Sequence, residues 1–468
     1  MSGVKWVALT KIIIQVFRWG ATFWIIRQLN PNDYGVMAIA EIVINLLTAL
    51  NYLCIGNIII RHKCISKPVM NTLFSFCILI GCILFTIQIL CAPYFSSFYE
   101  THEAQSVLQL LAVAYLLESL NVKPFALMAK RLEFKRLAQI DLVAGILTPL
   151  STILAAVAGM GYWSLAIGYL VHTLVRTVMA NYMCPTSLVM KWHVRKTAKL
   201  MKFGIQNSAS SAISQMGNSL DFIIGGILYS TTSIGIYQVG LQIAFIPLRK
   251  ISPELKRLSF PAFCKISHDL KLVTAYYAKI IRLFSFVIFP IFWGLAYLSE
   301  EIIVTILTDK WIESAIIIKI ICWALPLKLL NEISGTVLNA IGRADLLFKN
   351  SMVSAITLLF SIVSFQFMGV QGLAWAWVVS ILLTYLILLT DIKKTLSLSI
   401  KMILDVHYPA ILTTVAMCLS LSVLSNAIHL TGLLSLIINI GFGTVIYGLL
   451  IFIFNKLIII ELKSLLKR

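Results

Sequence analysis

The feature that most constrains this chain is a charge rhythm laid over a hydrophobicity too high for a water-soluble protein. Of its 468 residues, 59% are apolar. Stretches of about 20 apolar residues, each long enough to cross a bilayer core of roughly 30 Å, recur from end to end. Fourteen such spans are read, near 6–28, 34–60, 69–95, 104–126, 137–158, 161–183, 203–228, 232–252, 273–298, 312–340, 346–368, 370–390, 408–428 and 431–455. The connections between them alternate in sign. Those after even-numbered spans, with the C-terminal tail, hold most of the 38 basic residues, in groups such as Lys130, Arg131, Lys135 and Arg136, or Arg249, Lys250, Lys256 and Arg257. Those after odd-numbered spans hold Asp33, Glu100, Glu103, Glu300, Glu301, Asp309 and Glu313, against Arg27 and Lys310 alone. Short basic loops are retained in the cytoplasm, so both termini and the even-numbered connections are expected there.

The net charge of +19 would suggest a nucleic-acid partner in a soluble chain. Here topology explains it, and the anionic inner leaflet is the expected neighbour of the basic loops. No nucleic-acid partner is expected. The nine cysteines form no Cys-x-x-Cys pair and sit mostly inside apolar spans, so they read as core thiols. The first span holds Lys11 and Arg18 and lacks a small-residue cleavage pattern, which makes it a transmembrane helix rather than a signal peptide.

Offsetting the sequence by 200 residues places Tyr34-Gly35-Val36 over Ile234-Gly235-Ile236 and Gln15 over Gln215. At an offset near 210, Gly159-Met160 and Ala166 fall over Gly369-Val370 and Ala376. The common spacing argues for duplication. Each half would carry six spans, an even number, so the repeat is parallel, with a pseudo-twofold axis along the membrane normal. The expected domains are an N-terminal lobe over 1–200, a C-terminal lobe over 201–400, and an appendage of two spans and a tail over 401–468.

Polar residues line one face of several spans. The first carries Lys11, Gln15, Arg18 and Thr22 at spacings of four, three and four, which a helix gathers on one side. The seventh carries Asn207, Ser211, Ser214, Asn218 and Asp221 at the same rhythm. The second adds Glu41, Asn45, Thr48 and Tyr52; the eighth adds Gln238, Gln242 and, at its end, Arg249. A charge facing lipid near the bilayer centre costs a few kcal/mol, so these stripes are expected to face a hydrophilic cavity between two lobes. Arg18 is the leading candidate for substrate contact, with a structural ion pair to Glu41 as the alternative. His172 with Arg176, and Lys328 with Glu332, are each four apart on one span and stand evenly between substrate contact and helix packing. Trp163, Trp192, Trp311, Trp375 and Trp377 near span ends are expected to form an interfacial belt.

There is no phosphate-binding Gly-x-x-x-x-Gly-Lys loop and no His-Glu-x-x-His metal motif. No cofactor, metal or catalytic residue is expected. The short outer connections disfavour a glycan polymerase or ligase. A multidrug cation antiporter would need unpaired intramembrane carboxylates, whereas this cavity has a basic first span and only Glu41, Asp141 and Asp221 as carboxylates expected away from the interfaces.

Six short motifs then carry a resemblance over nearly the whole chain: Ser2-Gly3-Val4-Lys5-Trp6, Leu29-Asn30-Pro31-Asn32-Asp33-Tyr34-Gly35, Asn57-Ile58-Ile59-Ile60-Arg61, Leu132-Glu133-Phe134, Phe260-Pro261-Ala262-Phe263-Cys264-Lys265-Ile266 and Asp309-Lys310-Trp311. In these the chain resembles the oligosaccharide flippase (polysaccharide transporter) family, in its subgroup for colanic-acid and teichuronic-acid type repeat units. That subgroup often has Asp-x-Gly where this chain has Asn51-Tyr52-Leu53, so no role of a carboxylate there is carried over. The resemblance implies an all-α integral membrane protein of the multidrug/oligosaccharidyl-lipid/polysaccharide exporter fold, two six-helix bundles forming a V plus two further helices. It implies flipping of an undecaprenyl-diphosphate-linked oligosaccharide from the inner to the outer leaflet of a bacterial plasma membrane. Polysaccharide polymerase and glycosyltransferases would be partners. On that reading Lys11 and Arg18 meet diphosphate and Gln15, Asn218, Gln238 and Gln242 meet sugar hydroxyls, with Asp221, Arg176 and Arg249 as further substrate-binding residues.

Overall fold

Long apolar runs in lipid must satisfy every backbone N–H and C=O internally, which leaves the helix as the available local structure. The computed structural model describes residues 2–51, 66–186, 215–427 and 432–454, with Ile59, Thr197, Met201 and Ala212; of these, the side chains of 2–14, 49–51, 67, 400, 427 and 454 stand outside the description. The described residues contain helices and turns and no strand. In chain order the helices are α1 (Ser2–Gln28), α2 (Pro31–Asn51), α3 (Lys67–Phe98), α4 (His102–Lys130), α5 (Phe134–Val157) and α6 (Trp163–Met183). There follow α7 (Leu220–Leu228), α8 (Thr231–Ala244), α9 (Ile246–Ile266), α10 (Leu270–Tyr297), α11 (Ser299–Ile306) and α12 (Ile312–Cys322). The last are α13 (Leu325–Ala340), α14 (Ala344–Phe365), α15 (Val370–Leu396), α16 (Ile400–Ala427) and α17 (Gly432–Phe454). Eight of them, α3, α4, α5, α10, α14, α15, α16 and α17, are individually long and apolar enough to cross a membrane.

Local chemistry sets the ends. Asp33 accepts from the backbone N–H of Asn30 at 2.9 Å, the reciprocal half of a capping box at the start of α2. Asp269 accepts from the N–H groups of Lys271 and Leu272 at 2.9 and 3.1 Å and so caps α10. Gly159 and Gly369, matched in the sequence at the offset of 210, both adopt positive φ, 76° and 66°, in the turns that lead to α6 and α15.

Two expected spans are broken. The eighth splits at Phe245, where Pro247 opens α9. The tenth splits at Trp323-Ala324, with Pro326 in the first turn of α13. There the Trp293 indole donates to the Trp323 carbonyl at 3.2 Å and the two rings meet at 4.4 Å, which supplies one orphan carbonyl of the α12 end. Trp311 is fully buried and Trp377 is buried, so neither belongs to an interfacial belt; both fill helix junctions.

The chain divides between Gly235 and Ile236 into two compact units. In the first, α2 packs on α4, α3 on α4, α4 on α6, α5 on α6 and α1 on α5, and α7 docks on α2. In the second, α9 packs on α13, α10 on α12 and α13, α13 on α15 and α14 on α15, with α16 against α10 and α17 against α16. The order of partners in the second unit thus repeats that of spans 2 to 6 in the first.

One contact inside the first unit is reciprocal. A side chain begun at Gly35 would lie 1.8 Å from the Thr231 carbonyl oxygen, and one begun at Gly235 would lie 1.7 Å from the Pro31 carbonyl oxygen. Only glycine permits that approach at either place. The four positions pair at an offset of 200. Beside them, Gly226 of α7 accommodates the Tyr99 ring, and the Tyr99 hydroxyl donates to the Ile223 carbonyl at 3.2 Å. Burial pushes that hydroxyl up to about 12, so it remains a donor through the physiological range.

Candidate functional site

The first unit gathers charge around a proline in α5. Pro149 withholds the N–H that would bond the carbonyl of Gly145 one turn earlier. Arg18 of α1 lies against that notch: its Cδ, Nη1 and Nε are 3.7, 3.8 and 3.9 Å from where a Gly145 side chain would begin. On the same helix Asp141 stands one turn away and pairs with Arg176 of α6 at 3.5 Å. His172, one turn from Arg176, shares a hydrogen bond with the Thr148 hydroxyl at 3.2 Å and lies within electrostatic reach of Arg176, Arg18 and Asp141. The Arg176 guanidinium carbon sits 4.7 Å from the centroid of Phe125 in α4. Its Nε is buried without a hydrogen-bond partner among the described residues.

Three helices therefore bring two guanidinium groups, one carboxylate and one imidazole together. Asp141 lies seven residues from the start of α5 and Arg176 seven residues from the end of α6, about 10 Å along each helix. The side chains are 63% and 30% exposed in their pair, so the cluster is open on one side. Arg18 is exposed and makes no ion pair among the described residues, so the pairing with Glu41 is not found. Two arginines against one aspartate leave the cluster cationic. Such an arrangement suits an anion with several oxygens, because each guanidinium offers a planar fork of donors.

The other expected site residues fall as follows. Gln15 is half-buried on α1, one turn before Arg18. The side chain of Lys11 lies outside the described residues, as do Asn207, Ser211 and Ser214. Asn218 is exposed just ahead of α7, and Asp221 is buried in its first turn. Gln238 and Gln242 are half-buried one turn apart on α8, and Arg249 is exposed on α9, all three in the second unit. Lys328 and Glu332 do not pair along their helix. Lys328 lies over the Trp377 ring at 4.7 Å, while Glu332 takes Lys256 of α9 at 2.7 Å and the Ser252 hydroxyl. Glu332 thus ties α13 to α9.

Sequence reasoning named Arg18, Asp141, His172 and Arg176 but not their company of Gly145, Thr148 and Phe125. Pro149 four residues after Gly145 was the available signal, since it marks a carbonyl without a helical partner. Nothing in the sequence pointed to Phe125.

The fold and the cluster together define a class: a multi-pass, all-helical membrane protein with cationic groups held among its helices. Residues 25–316 match the polysaccharide biosynthesis protein family, and the chain belongs to that family. It is 22% identical over 451 residues to the teichuronic acid biosynthesis protein TuaB of Bacillus subtilis (strain 168), covering 92% of this chain and 89% of that one. It is 24% identical over 355 residues to the lipopolysaccharide biosynthesis protein WzxC of Escherichia coli (strain K12), covering 75% and 71%. Among solved structures it is similar to the lipid II flippase MurJ in an inward closed conformation, with a TM-score of 0.77 at 14% identity over 97% of this chain and 100% of that one. An inward-facing multidrug resistance transporter of the MATE family aligns with a TM-score of 0.62 at 12% identity, over 82% and 94%. At such identities the structural likeness concerns the fold.

Proposed function

We propose that this chain is a flippase that moves an undecaprenyl-diphosphate-linked oligosaccharide from the inner to the outer leaflet of a bacterial plasma membrane, by alternating access between two six-span lobes. The observation that carries the reading is the cationic cluster of Arg18, Arg176, His172 and Asp141 within helices that otherwise present hydrocarbon. A diphosphate with about two negative charges cannot leave water without replacement contacts, since desolvating an ion costs far more than thermal energy. The two guanidinium forks supply those contacts. Amides such as Gln15, Gln238 and Gln242 suit sugar hydroxyls, and the polyprenyl tail stays in lipid. An inside-negative potential assists, by up to about 4.6 kcal/mol per 100 mV for two charges crossing the whole field. The relatives' roles in teichuronic acid and lipopolysaccharide biosynthesis support the substrate class. A multidrug cation exporter of the same fold would find the wrong sign of charge at this cluster.

The test measures surface glycan and membrane protein level together in cells that depend on this chain. Arg18→Ala should abolish export with the protein still inserted. Arg18→Lys should restore it in part, because the ammonium keeps the charge and loses the fork. Normal export by Arg18→Ala would remove the reading.

A further inference from the structure

The two broken spans of the second unit converge on one side chain. The eighth gives way at Phe245 and the tenth at Trp323-Ala324, and a residue at each break reaches Trp377 of α15. The Phe245 ring stands edge-on to the Trp377 indole, with centroids 6.1 Å apart at 72°. Lys328, in the first turn of α13 just past the second break, holds its ammonium 4.7 Å from the centroid of the same indole. Trp377 is only 7% exposed, whereas Phe245 and Lys328 are half-buried, so the indole is a floor and the ammonium stands on it. Phe245 continues the helical bonding of α8, its N–H donating to the Leu241 carbonyl at 2.9 Å. Gln238 and Gln242 precede it by seven and three residues, spacings that place all three on one face.

Lys328 falls near the middle of the expected span 312–340, where a charged side chain is costly and marks the path of a substrate or ion. Glu332, one turn further on, is turned to Lys256 and Ser252 of α9. The indole attracts the Lys328 ammonium through its quadrupole, and a flat ring engages one side of a group that carries three donors. Irregular backbone at membrane depth is tolerated where it is buried in protein or lines a polar cavity, and substrate sites of transporters form where spans are discontinuous. One ammonium, two amides and a half-buried aromatic ring suit a sugar that carries a carboxylate: the ring for its C–H face, the amides for its hydroxyls, the ammonium for its acid.

We propose that Lys328, stationed on Trp377, binds the carboxylate of an acidic sugar in the glycan, with Phe245, Gln238 and Gln242 flanking that sugar. The inference rests on the flippase reading and adds to it the charge of the glycan, which the diphosphate cluster of the first unit does not address. Trp377 is a positioning residue, since it acts through Lys328. A neutral sugar in the same place would meet the amides and leave the ammonium unmatched, so the site discriminates by charge.

The experiment measures binding of two probes to the purified full chain: undecaprenyl-diphosphate-linked disaccharides that end in glucuronic acid or in glucose and are otherwise identical. The unaltered chain should bind the acidic probe at least about tenfold more tightly, the scale of one hydrogen bond between charged groups. Lys328→Gln should abolish the preference and Lys328→Arg should keep it. Trp377→Leu should weaken the preference, and Trp377→Phe, which retains a ring face, should preserve most of it. Melting temperatures identify the folded variants; if Lys328→Gln does not fold, Lys328→Met, which keeps the apolar stem against the indole, is read in the same way. Arg18→Ala should weaken both probes and leave the preference between them. Equal affinities for the two probes in the unaltered chain overturn the proposal and leave the flippase reading standing, as does a preference that survives removal of the Lys328 charge. If neither probe binds better than undecaprenol, the proposal and the flippase reading fall together.

Discussion

At the scale of single residues, the cluster around Arg18 separates charge from shape. Gly145 is the notch into which the guanidinium fits, and an added methyl there would meet Arg18 at ordinary contact distance. Gly145→Ala should therefore leave export intact, whereas Gly145→Leu should expel the guanidinium and lose export with every charge still present; surface glycan against protein level distinguishes the two. Asp141 is the cluster's one carboxylate, and on the proposed function it opposes anion affinity. Its pair with Arg176 is open to solvent at 3.5 Å, so Asp141→Asn should cost less than about 1 kcal/mol of stability. Binding of the lipid-linked diphosphate should tighten and its release should slow, seen as tighter binding by the purified protein together with a lower export rate.

At the scale of the helix, the prolines explain why neighbours are held where they are. Pro124 frees the Leu120 carbonyl, which accepts from the Asn181 amide of α6 at 3.4 Å, and Pro290 frees the Phe286 carbonyl for Tyr447. Each freed carbonyl is thus satisfied by a side chain from another helix. Tyr447→Phe leaves that carbonyl without its donor and should lower stability by about 0.5–1.5 kcal/mol, read as a drop in melting temperature in detergent. Packing between α5 and α6 is as close: a side chain begun at Gly168 would lie 2.0 Å from the Thr152 hydroxyl oxygen. Gly168→Ala should destabilise by about 1–3 kcal/mol, and Thr152→Ala in the same chain should recover most of it. These contacts were not legible beforehand. The apolar stretches were, because hydrophobic length is written locally: eight of the fourteen expected spans coincide with helices individually long and apolar enough to cross a membrane. The breaks at Phe245 and Trp323 were not, since the second depends on an indole from α10. The Asp141–Arg176 pair needed the packing of α5 on α6, which no spacing within either helix encodes.

At the scale of the whole chain, the alternation of loop charge makes a prediction independent of any side-chain contact. Cysteine reporters placed near Lys196 and Lys394 should be protected from an impermeant reagent added outside, and reporters beside Glu100 or Asp309 should react; one reversed result would break the fourteen-span, ends-inside topology. The repeated packing order and the glycine contact carry a different kind of consequence. When position i touches position j and their counterparts touch in return, the pattern is that of two identical subunits meeting across a twofold axis. Gly35 with Thr231 and Gly235 with Pro31 keep that form within one polypeptide. A methyl added at either glycine would press on a backbone carbonyl, which has no rotamer through which to yield, so the first turns of α2 and α8 keep their spacing only while both positions stay bare.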